Sequence, residues 1–420
     1  MKNNEEQRHI YVYAHWKEFG EPKLMGILNV VNSRGKEIFA FEYDKKWIES
    51  GFAQIVDPDL QLFSGPQYLK DEKINFGIFL DSSPDRWGRI LMKRREAALA
   101  KSEKRRENTL LEVDYLLGVF DGNRMGAIRF KDSEDGPFLN NNKEMATPPW
   151  ATLRELEYAS NQLEKDGISE DPNYLKWLNL LLAPGSSLGG ARPKANVIDN
   201  KNQLWIAKFP KTNDEVDIGK WEMITNDLAM NSGINIAKGM INKLTGKYST
   251  YLSKRFDRTD SGERIHFASA MTMFGQIDHS TGNSYLEFID FLIRHGSNTT
   301  DDLEEIWKRI VFNICVKNTD DHLRNHGFLL TSSGWNLSPA FDVNPNPIGT
   351  GLNLNISEND NSLDINLAKD VAEQFRVKSK KANEIIKLIK KEISKWNTLA
   401  NKYKIPKEEQ EIMSNSFWKD

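Results

Sequence analysis

The stretch Asn318-Thr319-Asp320-Asp321-His322-Leu323-Arg324-Asn325 decides how this chain is read. Asp320 and Asn325 stand five positions apart. A carboxylate at the first position can take the proton of an attacking hydroxyl, and an amide oxygen at the second suits a hard cation such as magnesium. Asp342, in Phe341-Asp342 seventeen residues further on, is placed to offer the same ion a carboxylate. Asn and Asp also cap helices and build Asx-turns, so the spacing alone is weak. The surrounding sequence has to supply the context.

Upstream, 300–317 carries Leu303, Ile306, Ile310 and Ile314 at spacings of three and four, a core-facing helix with a polar start at Thr300-Asp301-Asp302. Downstream, 327–330 and 335–341 read as a hairpin that ends at Asp342. A catalytic loop after a buried helix, with a metal aspartate beyond a short hairpin, is the order used in the C-terminal lobe of kinases. Further upstream, Lys208 in Leu204-Trp205-Ile206-Ala207-Lys208-Phe209 shares a strand face with Leu204 and Ile206. A lysine there must snorkel or find a counter-charge. Glu222 on the following helix is the expected partner, with Glu215 also in reach; a lysine–glutamate pair of this kind positions nucleotide phosphates. Ser186-Ser187-Leu188-Gly189-Gly190-Ala191-Arg192-Pro193-Lys194 precedes a strand, and its small residues allow an anion-binding nest. It lacks Walker A spacing, and a plain turn explains Gly189-Gly190 as well. His322 is either a loop-ordering hydrogen bonder or a phosphate contact. No Gly-x-Ser-x-Gly elbow supports hydrolase chemistry.

Composition bounds the rest. The 420 residues suffice for two or three domains, and 39% hydrophobic with 28% charged residues describes an ordinary globular chain. A net charge of −3 argues against nucleic-acid binding by bulk electrostatics. The single cysteine, Cys315, excludes intramolecular disulfides and cysteine-based zinc clusters. No run approaches a membrane span and the N-terminus lacks an apolar leader core, so the cytoplasm is the expected compartment.

In chain order, strands are expected at 10–13, 24–31 and 38–43, with a turn at Asn32-Ser33-Arg34-Gly35. A helical region follows over 74–100, starting at Ser83-Pro84-Asp85, then a short helix and a strand over 114–130. Helices are expected at 151–165 and 173–182, strands at 194–198 and 204–209, a helix at 217–232, and strands flanking Lys247. One long helix over 379–403 closes the chain, with Ile385, Ile389, Ile393, Trp396 and Ala400 on one face and a solvated lysine face opposite. Three regions result: a β-rich N-terminal subdomain at 1–140, an ATP-binding N-lobe at 141–258, and a helical C-lobe at 259–420 with the catalytic loop and metal site.

With these pieces in order, the chain resembles the HipA-type serine/threonine kinases, toxins of bacterial toxin–antitoxin pairs, over nearly its full length. The resemblance is carried by Gly77-Ile78-Phe79-Leu80-Asp81-Ser82-Ser83-Pro84-Asp85-Arg86-Trp87-Gly88-Arg89, Asn123-Arg124-Met125-Gly126-Ala127 and the loop Ser187 to Lys194. It continues through Trp205 to Phe209, Lys254-Arg255-Phe256-Asp257-Arg258, Asn318 to Asn325, and Ser338-Pro339-Ala340-Phe341-Asp342. The matching N-terminal pieces point to the long form of the family.

The resemblance implies an α+β, two-lobed protein-kinase-like fold: a β-rich N-lobe with an added N-terminal subdomain, and a mostly α-helical C-lobe. It implies Asp320 as catalytic base, and Asn325 and Asp342 as magnesium ligands. Lys208 would bind the phosphates of ATP; Lys254, Arg255 and Phe256 would form the hinge against adenine, with His322 and Phe341 among the nucleotide contacts. Gly189, Gly190, Ala191, Arg192, Pro193 and Lys194 would cover the phosphates. Ser187 matches the autophosphorylated serine that silences such kinases, and Ser186 beside it leaves the choice open. The implied substrate is a protein, such as an aminoacyl-tRNA synthetase whose phosphorylation arrests translation and growth. A small helix-turn-helix antitoxin of HipB type is the implied partner, reaching operator DNA on the kinase's behalf. A small-molecule phosphotransferase and a nucleotide-binding pseudokinase acting as co-repressor are the alternative readings.

Overall fold

The computed structural model describes residues 7–33, 35–70, 73–182, 190 and 192–419. The chain forms two compact units, one of Met1–Ala207, Asp257–Ile277 and Leu330–Ser332, the other of Lys208–Phe256, Asp278–Leu329 and Ser333–Asp420. Its strands are β1 (Gln7–Ala14), β2 (Lys23–Ser33), β3 (Lys36–Tyr43), β4 (Gln67–Tyr68), β5 (Ile128–Lys131), β6 (Lys194–Ile198), β7 (Leu204–Lys208), β8 (Gly239–Asn242), β9 (Thr250–Lys254), β10 (His266–Ser269), β11 (Gly327–Thr331) and β12 (Gly334–Leu337).

In the first unit the sheet order is β4-β3-β2-β1-β5. Antiparallel pairing of β1 with β2 puts Ile10 opposite Leu28, and both are buried with Val12, Ala14 and Val30. Alternation thus fixes the buried face. β2 and β3 close through Ser33↔Lys36, at the expected reversal; Arg34 of that turn lies outside the described residues. The helical region expected over 74–100 is two helices, Gly77–Asp81 and Arg86–Ser102. Between them Pro84 has no N–H to continue a helix, and Asp85 adopts extended backbone and caps the second helix, its Oδ1 accepting the Gly88 N–H at 2.8 Å.

The core of this unit holds a charged side chain. Arg124 is fully buried, and its guanidinium donates to the carbonyls of Ser82, Leu116, Val119 and Leu139 at 2.8–3.1 Å. Nearby, Gly126 takes a φ of +71° and donates its N–H to Asp257 Oδ2 at 2.8 Å, and an added Cβ would lie 3.0 Å from the Phe267 nitrogen. The motif Asn123 to Ala127, and Asp257 near the end of the motif Lys254 to Arg258, therefore have a packing reason in this unit.

In the second unit, the Ile218–Asn231 helix is capped by Asp217, and β8 pairs antiparallel with β9. The apolar helix Thr299–Val316 ends where Lys317 turns left-handed at φ 49°, and the chain passes directly into the Asn318 loop. The strand expected over 335–341 stops at Leu337. Ser338 still donates to Gly327 O at 2.8 Å, but Pro339 has no N–H, and Ala340 pairs instead with the 235–237 segment. The helix expected over 379–403 is divided into Ser379–Ile393 and Trp396–Lys402. Ser394 and Lys395 tighten the turn, and Trp396 stacks on Phe417 with ring centroids 4.9 Å apart. A tertiary contact overrides an otherwise continuous helical period.

Candidate active site

Asp320 and Asp321 are neighbours in sequence and opposites in environment. Asp321 is buried, and its Oδ2 accepts from the Tyr285 hydroxyl, from Asn313 Nδ2 at 2.8 Å and lies 2.9 Å from His326 Nε2. Asn313 sits on the buried face of the Thr299–Val316 helix, so the loop is anchored to that helix from below. Asp320 is exposed. Partial desolvation still raises its carboxyl above the ordinary range; His322 pulls it back down, and the charges of Asp342 and Asp321 push it up. One aspartate is consumed by structure and the other is left exposed, its carboxyl raised.

Asn325 donates its Nδ2 to the Asp320 carbonyl at 2.9 Å. That bond fixes the amide orientation, because a carbonyl only accepts. Asn325 Oδ1 is then buried with no hydrogen-bond partner among the described residues. Asn318, fully buried, joins this loop to the segment beyond Asp342: its Oδ1 accepts the Asn344 N–H at 3.2 Å and its Nδ2 donates to Asn313 at 3.2 Å. Asn346 adds a second tie, donating to Thr319 Oγ1 at 2.7 Å.

Asp342 takes a left-handed φ of 56°, which Asp tolerates better than most residues. Its Oδ1 accepts from Lys208 Nζ at 2.7 Å and from Asn344 Nδ2 at 2.9 Å. Lys208 also meets Glu222 Oε1 at 2.5 Å, so Glu222 and not the exposed Glu215 is its partner on the helix. Burial works against the Lys208 charge; Asp342 and Glu222 overcome it and hold its pKa above the ordinary value. The Tyr251 ring lies beneath the ammonium, 5.7 Å from centroid to Nζ. A cation held between two carboxylates is a set of charges able to grip phosphate and a divalent ion.

The other expected residues are placed as follows. Lys254 ends β9 half-buried, its N–H donating to Lys238 O at 2.8 Å; Arg255 is buried; and Phe256 packs on Phe341 with centroids 5.4 Å apart. His322 Nδ1 is buried without a hydrogen-bond partner among the described residues. Lys194 is buried and pairs with Asp85 at 2.8 Å, next to buried Pro193 and half-buried Arg192. Gly190 has φ +86°. Ser186, Ser187, Gly189 and Ala191 lie outside the described residues. Sequence reasoning missed Asn313, Asn318, Asp321, Tyr285, His326 and Asn344. One signal was present: Asn313 interrupts the apolar face of a strongly periodic helix, and a polar residue there needs a buried partner.

Among the described residues, no group of three or more His, Cys, Asp or Glu side chains could hold a metal by itself, and no helix is long and apolar enough to cross a membrane. The family model of the HipA-like C-terminal domain matches residues 186–396, half of the chain. A Haemophilus influenzae protein named "Putative kinase" is 26% identical over 187 residues, 39% of this chain; the chain spans about half, 54%, of that relative's length. Among solved structures, HipA of Shewanella oneidensis MR-1, in a complex with HipB and operator DNA, superposes with a TM-score of 0.65 at 19% identity. The match covers 97% of this chain and 94% of that one. The Helicobacter pylori proinflammatory kinase CtkA aligns over 50% of this chain and 93% of its own at 12% identity, with a TM-score of 0.34, too low to carry an argument. The fold is α+β, with antiparallel sheets and the kinase-like architecture of HipA.

Proposed function

The chain belongs to the family of the HipA-like C-terminal domain, and from that premise we propose that it is an ATP- and magnesium-dependent serine/threonine protein kinase. The observation that carries the reading is the Lys208–Glu222–Asp342 cluster, with Glu222 buried and the other two half-buried, in the same unit as an exposed Asp320 whose carboxyl is raised above the ordinary range. Asp320 takes the proton of the acceptor hydroxyl as the γ-phosphoryl group arrives. Lys208 grips the nucleotide phosphates, and Phe256 and Phe341 offer apolar surface to adenine beside the Lys254 and Arg255 backbone. His322, with its unpartnered Nδ1, is a further phosphate contact.

The residues present fit the cation. Asn325 Oδ1 is a buried carbonyl oxygen with nothing to accept, and leaving such a group unpaired costs about 1–3 kcal/mol. Asn325 and Asp342 would hold magnesium, which when bound neutralises charge on the β- and γ-phosphates. The regions 1–140, 141–258 and 259–420 serve as subdomain, nucleotide lobe and catalytic lobe. Gly189 to Lys194 cover the phosphates, and phosphate on Ser186 or Ser187 silences the enzyme by repulsion from the nucleotide.

The substrate is a protein, an aminoacyl-tRNA synthetase being the leading class, in a cytoplasmic toxin–antitoxin setting that arrests growth. The Shewanella structure with HipB and operator DNA supports an antitoxin partner of HipB type here, with DNA contact made through it. The test is incubation with magnesium and labelled ATP beside Asp320→Ala and Ser187→Ala variants, with peptide mass spectrometry. Label on Ser186 or Ser187 that disappears in Asp320→Ala is the expected result. ATP binding without any transfer, in protein isolated free of phosphate and supplied with synthetase, would replace this reading with the pseudokinase.

A further inference from the structure

Asn344 has the same unfinished hydrogen bonding as Asn325. Its Nδ2 donates to Asp342 Oδ1 at 2.9 Å, and a carboxylate can only accept, so the amide cannot be turned the other way without setting oxygen against oxygen. Its backbone N–H is taken up by Asn318 Oδ1 at 3.2 Å, which fixes the residue at both ends. Asn344 Oδ1 is then buried with no partner among the described residues. Among the described residues three asparagine amide oxygens are buried without a partner, on Asn226, Asn325 and Asn344; that of Asn325 lies on the catalytic loop, and Asn344 is bonded through its own amide nitrogen to the aspartate expected to carry the ion. Native structures rarely leave such groups open, and those that stay open call for a ligand, an ion or an ordered water.

We propose that Asn344 is a third protein oxygen ligand for the divalent cation, completing a set with Asn325 and Asp342. This rests on the kinase reading and deepens it. A hard cation shared with nucleotide phosphates needs oxygen donors, and an amide oxygen supplies one without a further negative charge. The donor set then carries one carboxylate and two neutral oxygens, which leaves the phosphates as the main source of charge. Metal is accordingly bound well only together with nucleotide.

The test is Mn²⁺ binding, read from the free-ion signal in electron paramagnetic resonance, with and without a non-hydrolysable ATP analogue. Wild type is compared with Asn344→Leu, Asn344→Asp and Asp342→Asn. Asn344→Leu is expected to weaken Mn²⁺ binding in the nucleotide complex by about tenfold, within the range for losing one supporting oxygen, while metal-free nucleotide binding is unchanged. Asn344→Asp distinguishes ligation from mere positioning: it keeps an oxygen and loses the NH₂ that steadies Asp342. Retained or tighter Mn²⁺ binding in Asn344→Asp supports ligation. Weakening equal to that of Asn344→Leu overturns it and leaves Asn344 as a positioning residue for Asp342. Wild-type affinity in Asn344→Leu, beside lost affinity in Asp342→Asn, overturns the third ligand while sparing the kinase reading. A wild-type chain that binds no Mn²⁺ with nucleotide overturns both. Asn344→Ser, smaller and still polar, repeats the comparison should the leucine variant fold poorly, and thermal melting checks each variant.

Discussion

Arg124 in the first unit and the Asp320 loop in the second are both dense buried polar clusters, and they differ in what is left over. The two terminal nitrogens of the Arg124 guanidinium are met by four backbone carbonyls, with the ring of Phe130 4.6 Å beneath it. Burial lowers its pKa to about 10, still high enough to stay charged at neutral pH. At the Asp320 loop the amide nitrogens are committed and the amide oxygens of Asn325 and Asn344 are open. A polar cluster that closes on itself stabilises a fold; one that closes on one side and stays open on the other is built to receive something.

The largest expected effect tests the open side. Asp320→Asn should cut phosphoryl transfer by roughly 10²–10⁴-fold, with melting temperature nearly unchanged because the side chain is exposed. An intact rate would remove Asp320 from the chemistry. The converse belongs to the closed cluster. Arg124→Met should cost about 3–5 kcal/mol in urea unfolding, since its partner carbonyls lose their donors in a site closed to water. A loss below about 1 kcal/mol would mean that the cluster relaxes easily.

Asp321 sharpens the contrast, because it lies in the open region and belongs to the closed class. Asp321→Ala strands the Tyr285 hydroxyl and Asn313 Nδ2, and about 3 kcal/mol of stability should go with it. Nucleotide affinity should fall only as far as folded protein is lost; a selective loss of turnover in fully folded protein would move Asp321 into the catalytic set.

The smallest effect concerns a closed site that is not fully compensated. Asp57 is buried and pushed up to about 6, chiefly by desolvation, although it accepts the N–H groups of Ile78 and Asp59. Its folded pKa lies above the ordinary value of 3.8, so the folded state binds the extra proton. Its contribution is fully present below about pH 4 and is lost as pH rises through 6. Wild type should therefore lose about 2–3 kcal/mol relative to Asp57→Asn between these limits, read as the difference of two stability–pH curves. Parallel curves would show that Asp57 is solvated.

Much of this was legible in the chain. Strand alternation placed β1 to β3, and apolar spacing placed the Thr299–Val316 helix, because both report a buried face through local periodicity. The Lys208–Glu222 pair was also legible, since a lysine on an apolar strand face requires a counter-charge. Periodicity failed where a distant partner mattered. It could not see Trp396 turning to stack on Phe417, nor Ala340 leaving its hairpin for the 235–237 segment.

The sequence by itself determined which residues had the right chemistry: a carboxylate and an amide five apart, a second carboxylate beyond, and a lysine needing charge. Tertiary structure decided how each is used. Spacing to Asn325 singles out Asp320, but nothing local shows that Asp320 is exposed and Asp321 buried, or separates Asn344 from Asn346. Burial and hydrogen bonds from residues far along the chain tie up Asp321 and leave Asp320 exposed, and they occupy the nitrogen of Asn344 while leaving its oxygen open. The physical reason is that a polar group's role is set by what remains after its partners are counted, and those partners are brought together only by folding.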